Sequence, residues 1–194
     1  MCAAPVTDLT AQFERVREDA TAARVYFHTW WALRSLAYPD YLPVMNDHAY
    51  VDFFHAAHTG FLKLTFISLS KLFDRDSLGL AALRGLLEAE GHTSAAELIR
   101  GATVPKTELV ERLLRIRNKS VAHTEKEIHR DAAYETNPVT PDEIRDLIDG
   151  ICSALNEAAE MLGSSTRISD GERQERAVME LLPRLDHRST QQAT

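Results

Sequence analysis

Apolar positions along this chain recur three or four residues apart rather than in alternation, and the 8 glycines and 7 prolines fall between long periodic stretches. That pattern predicts helices joined by breaks, an all-α chain. The first helix is expected from Thr7 or Asp8 to about Ala37, carried by Leu9, Phe13, Val16, Ala20, Ala23, Phe27, Trp30 and Trp31, with Pro39 and Pro43 closing it. Asn46 is a suitable N-cap for a second long helix ending near Phe73, with Tyr50, Phe53, Phe54, Ala57, Phe61, Leu64, Ile67, Ser68, Ser70 and Leu72 as its buried stripe. The adjacent Trp30 and Trp31 cannot both face inward, so one is core and the other an interface anchor or a stacking platform.

Ser77 is positioned to cap a third helix through Leu80, Leu83, Leu86 and Leu87, stopped by Gly91, and Thr93 with Glu97 opens a short fourth from about Ser94 to Arg100. Pro105 suits the first turn of a fifth helix bearing Leu109, Leu113, Leu114 and Ile116. Thr124 to Pro138 has little periodic apolar content and reads as a surface loop. Thr140-Pro141-Asp142-Glu143 is a strong helix start, followed by Ile144, Leu147, Ile148, Ile151, Leu155, Ala158 and Leu162 up to Gly163. Ser169 with Glu172 suggests a second capping box for a final amphipathic helix. The organisation expected is a helical domain over 7–163, a C-terminal helix over 164–188 that packs or serves as a dimerisation arm, and a disordered tail over 189–194.

A length of 194 residues favours one compact domain with an appendage. Cys2 and Cys152 cannot form a disulfide scaffold, and together with the lack of a signal-peptide pattern or an apolar span they fit a cytoplasmic protein away from the membrane. The net charge of −7 excludes nucleic-acid binding by bulk charge, so any such contact is local.

No Gly-rich phosphate loop, HExxH, nucleophile elbow or paired Cys-x-x-Cys is present. What stands out is a reversal of charge: between Lys106 and Arg130 seven basic residues face four acidic ones, a local +3 in an acidic chain. The bland account is a solvated helix face whose arginines pair with Glu108 and Glu111. Within this stretch lies Arg117-Asn118-Lys119-Ser120-Val121-Ala122-His123.

The spacing of Arg117, Asn118 and His123 resembles the Arg-x(4–6)-His motif of the HEPN superfamily (higher eukaryotes and prokaryotes nucleotide-binding), in which a polar residue commonly follows the arginine. The long aromatic first helix and Leu72-Phe73-Asp74-Arg75 are similar to the AbiU-like abortive-infection branch, over roughly Asp8 to Leu162. The resemblance implies a HEPN-like bundle of long antiparallel helices and a metal-independent, cofactor-free endoribonuclease of antiphage defence or toxin systems. It implies Arg117, Asn118 and His123 as catalytic residues, and Arg112, Arg115, Lys119 and Ser120 are candidate RNA contacts around them, with Asp74 and Arg75 in support. An antitoxin or defence-system protein is an expected partner beside RNA. The chain departs from one pattern: nucleotidyltransferase-paired HEPN toxins often carry a tyrosine two residues after the histidine, where this chain has Thr124-Glu125.

Arginine and histidine suffice chemically. Attack of an RNA 2′-hydroxyl on the adjacent phosphorus needs a base, an acid for the departing 5′-oxygen and charge stabilisation; histidine supplies the first two near neutrality and arginine the third. On one straight helix, residues six apart are rotated by roughly 600°, about 120° from eclipsed, and rise about 9 Å. Arg117 and His123 would then not face one phosphate. Either the helix loosens between them or two copies form a composite site across a twofold axis, as HEPN ribonucleases generally do. A homodimer is therefore expected, with His123 from each chain as acid and base.

Other readings stand beside this one. His48, His55 and His58 share a helix face at spacings of seven and three, but no carboxylate completes a metal set apart from Asp47 and Asp52, and no metal is expected. Asp74 and Arg75 also fit a helix-end ion pair. The rivals to catalysis are a HEPN-like module that binds RNA, nucleotide or protein without cutting, and a purely structural helical adaptor.

Overall fold

The structure, a computed structural model, describes residues 8–73, 78–120 and 138–186. Every regular element among them is helical: α1 (Leu9–Trp31) running into a π turn (Ala32–Leu36), α2 (Leu42–Met45), α3 (Val51–Phe73), α4 (Leu80–Ala89), α5 (Thr93–Thr103), a 3₁₀ turn (Val104–Lys106), α6 (Thr107–Ser120), α7 (Pro141–Met161) and α8 (Glu172–Leu185). The described residues are thus all-α, as the periodicity predicts. No helix among the described residues is long and apolar enough to cross a membrane.

The described residues fall into two compact units. The first comprises residues 8–23, 66–73, 78–120 and 138–168. Its axis is α7, whose buried residues Ile144, Leu147, Ile148, Ile151, Leu155 and Ala158 repeat at helical spacing. The helix starts where expected. The Thr140 hydroxyl accepts from the Glu143 backbone N–H at 3.2 Å, the Glu143 carboxylate accepts from the Thr140 N–H at 2.7 Å, and Pro141 takes the first turn. It ends at Gly163, φ +78°, with the Ser164 N–H donating to the Ala159 carbonyl at 2.9 Å; Gly91, φ +84°, closes α4 in the same way through His92 and Leu87 at 2.8 Å. Helix α5 packs on α7 and α4 on α5. The thiol of Cys152 is buried and reaches the Ala20 carbonyl of α1 at 3.8 Å.

The second unit comprises residues 24–65 and 169–186. Its core gathers Leu33 and Ala37 around the π turn, Phe54 of α3 and the fully buried Leu182 of α8. Trp30 is buried and Trp31 half-buried. Beside this core the His28 Nδ1 meets the Glu175 carboxylate at 2.7 Å and Arg24 donates to the Ser169 carbonyl at 2.9 Å.

Four local expectations are corrected. Asn46 closes α2 instead of capping α3, because Asp47 holds the next free backbone groups: its carboxylate accepts from the Ala49 N–H at 2.8 Å and its carbonyl from the Val51 N–H at 2.9 Å. Ser169 and Glu172 form no capping box. Gly171 precedes α8 without a side-chain cap, since the His28 ring lies so near that a Cβ there would overlap it, and only glycine fits. Phe53 and Leu64, assigned to the buried stripe of α3, are exposed, and Phe66 and Leu69 are buried instead. Pro105 lies in the 3₁₀ turn just before the fifth long helix rather than inside it. Ser77 and nearly all of the loop expected over Thr124 to Pro138 lie outside the described residues.

Candidate functional site

Helix α6 begins behind the 3₁₀ turn, where the Thr107 hydroxyl donates to the Val104 carbonyl at 2.8 Å. It buries Leu109, Val110, Leu113 and Ile116 as one stripe. At about 100° per residue, Arg117 falls within about 40° of Leu113 and about 20° of Val110, so it continues the apolar stripe with a charged head. It is half-buried. Arg112 and Arg115 lie about 140° and 160° away from it around the helix. The basic cluster is therefore two faces, and they differ in chemistry.

On the outer face both arginines are paired. Arg115 donates to Glu111 at 3.2 Å, one helical turn back. Arg112 donates to the Glu143 carboxylate at 2.9 Å and also to the Pro138 carbonyl, tying α6 to the start of α7. The Thr140 backbone N–H bonded to the Glu143 carboxylate holds that carboxyl below its ordinary range; burial opposes this, and the bonds from Arg112 and the Thr140 hydroxyl add to the lowering. This is the carboxylate-paired face, and the exposed Arg115–Glu111 pair on it is the one the bland account expected.

On the inner face Arg117 makes no ion pair among the described residues, and its Nη1 donates to the Asn118 side-chain oxygen at 2.9 Å. A neutral amide can orient a guanidinium but cannot cancel its charge, and two adjacent groups so arranged offer a donor fork for a phosphate oxygen. Of the expected site residues, the structure thus brings Arg117 and Asn118 into contact. It commits Arg112 and Arg115 to glutamates. Lys119 and Ser120 extend the helix, while their side chains, and His123, Asp74 and Arg75 altogether, lie outside the described residues.

A second polar cluster escaped the sequence reading in part. In the second unit a cleft of about 330 Å³ is lined by Arg34, His55 and His58 against an apolar wall that includes Leu33 and Phe54. His55 and His58 were visible as part of the spaced trio with His48, but Arg34 belongs to the long helix expected before them and carries no motif. His48 does not line the cleft, and no group of three or more metal-binding side chains converges among the described residues.

Comparison with known protein families gives a match. The family model HEPN_AbiU2, described as AbiU2, matches residues 7–181, which takes in most of α8 and so runs beyond the Asp8 to Leu162 expected of the resemblance. No curated protein and no solved structure matches the chain.

Proposed function

The chain belongs to the AbiU2 family of HEPN domains, and from that premise we propose that it is a metal-independent endoribonuclease of prokaryotic abortive infection, working as a homodimer on RNA. The observation that carries this reading is Arg117: a charged side chain at the end of an apolar stripe, oriented by Asn118, with no carboxylate partner among the described residues. A positive charge held so is a site for an anion.

In the proposed reaction one His123 takes the proton of an RNA 2′-hydroxyl as the oxygen attacks the adjacent phosphorus. The bond to the 5′-oxygen breaks, and the His123 of the second copy protonates the departing oxygen. The products are a 2′,3′-cyclic phosphate end and a 5′-hydroxyl end. Arg117, positioned by Asn118, stabilises the charge that builds on the phosphorane oxygens. With Arg112 and Arg115 engaged by glutamates, the anion-binding surface is small, so in a chain of net charge −7 the RNA is selected by local shape rather than long-range attraction.

The test is cleavage of total RNA and of tRNA by the purified protein in excess EDTA, beside His123→Ala. We expect cyclic-phosphate products from the wild type and a loss of about a hundredfold or more in the variant. Equal cleavage by both proteins would remove His123 from the reaction, and sedimentation showing a monomer in the active preparation would remove the composite site.

A further inference from the structure

We propose that the cleft between the π turn and the start of α3 is a binding site for a phosphomonoester with a flat apolar body, about the size of a nucleoside monophosphate. Arg34 and His55 would hold the phosphate, and Tyr38 and Phe54 would flank the body. The cleft lies wholly within the second unit and shares no residue with the Arg117 site.

Four observations converge there. First, the titratable side chains lining the cleft are Arg34, His55, His58 and Tyr38, with no carboxylate among them, in a chain whose acidic residues outnumber its basic ones by seven. Second, Arg34 and His55 are exposed, and neither makes an ion pair or side-chain hydrogen bond among the described residues. Third, the Nε2 of His58 is buried without a hydrogen-bond partner there. Burial, then the charge of Arg34, then His55, hold the His58 imidazole below its ordinary pKa, so three nitrogen-bearing groups crowd one place with no anion to answer them. Fourth, Arg34 sits in a π turn, an irregularity that costs regular helical bonding and is frequent at functional sites; here the Ala37 N–H reaches the Ala32 carbonyl at 2.8 Å.

The geometry also selects the ligand. A guanidinium fork beside an imidazole matches phosphate oxygens better than a single point charge would. The volume of about 330 Å³ stands at the small end of ligand pockets, which run from roughly 300 to 1,000 Å³. Tyr38 is 54% exposed, and an apolar or aromatic ligand body would cover it. The phosphomonoester could belong to a free nucleotide or to the 5′ end of an RNA strand, since both present the same group.

The reporter is built in. The chain's two tryptophans are Trp30 and Trp31, 6.3 Å apart between ring centroids, and the ring of Trp30 lies 6.0 Å from that of His58. Titration of the full chain with adenosine 5′-monophosphate, followed by tryptophan emission and calorimetry, should saturate with one site per chain. Adenosine alone should bind at least about tenfold more weakly, and Arg34→Gln and His55→Gln, both at exposed positions, should each weaken the monophosphate about tenfold. A 5′-phosphorylated oligoribonucleotide binding more tightly than the mononucleotide would assign the cleft to RNA ends, and one binding more weakly would assign it to free nucleotides. The proposal is overturned if the monophosphate does not saturate, if adenosine binds equally well, or if both glutamine variants bind like the wild type. None of these outcomes depends on whether RNA is cut at His123.

Discussion

The two faces of α6 carry the same residue type to opposite ends. Arg112, half-buried against the start of α7, and the exposed Arg115 are each answered by a glutamate, whereas Arg117, only two residues beyond Arg115, rides the apolar stripe and is answered by a neutral amide. A count of basic residues along the segment merges these faces. The partner separates them: a carboxylate turns an arginine into a structural tie, and its absence leaves a charge for a ligand to meet. The comparison extends to Arg34, which is likewise without an ion pair among the described residues and lines a cleft rather than a helix junction.

Removing the arginines singly and measuring RNA cleavage in EDTA separates the two faces. Arg117→Ala should cost about a hundredfold or more, the scale of a lost charge-stabilising contact in a reacting site. Arg115→Ala should change the rate by no more than about threefold, since an exposed helical pair with Glu111 contributes little. Similar losses from both variants would mean that the segment acts as one undivided basic patch, and the distinction between its faces would fail.

Stability should separate the two paired residues. Arg112 bridges α6 to both the Pro138 carbonyl and the capping glutamate of α7, so Arg112→Ala should lower the unfolding free energy by about 1 kcal/mol in urea titration. Arg115→Ala, which loses only a pair within one helix, should cost about 0.3 to 0.5 kcal/mol. Equal costs would show that the tie between helices contributes nothing beyond a surface pair.

What was legible in the sequence follows the range of the forces involved. The helical class, the box at Thr140 to Glu143 and the stops at Gly91 and Gly163 are settled within a few residues, so periodicity and spacing reveal them. The HEPN resemblance was legible because Arg117-Asn118 and Leu72-Phe73-Asp74-Arg75 are compact strings. Gly171 was not: its position is dictated by the ring of His28, far off in the chain, and the local pattern of Ser169 and Glu172 pointed to a box that does not form. The pairing of Arg112 with Glu143 crosses 31 residues, so the sequence could suggest only Glu108 and Glu111 as neighbours. Arg34 was missed for the same reason, because it meets His55 and His58 only after the chain has reversed through the π turn and α2.

Acid titration tests the carboxylate side of the Arg112 tie. Glu143 has its carboxyl pKa lowered below the ordinary 4.5, chiefly by the Thr140 backbone N–H, with Arg112 contributing. A carboxylate whose folded pKa is depressed adds stability that is fully present above its unfolded pKa and disappears as the pH falls through the folded value. The stability difference between the wild type and Glu143→Gln should therefore be constant from pH 7 down to about 5 and shrink below about 4.5, because the glutamine cannot titrate while the other carboxylates ionise alike in both proteins. Urea melts at pH 7, 5, 4 and 3 would measure it. The same series on Arg112→Ala should show a smaller narrowing, since the Thr140 bond, the larger cause, survives there. A gap that stays constant to pH 3 would mean that the cap holds Glu143 through its shape and hydrogen bonds with no advantage from its charge, and Arg112 would lose its standing as an ionic tie.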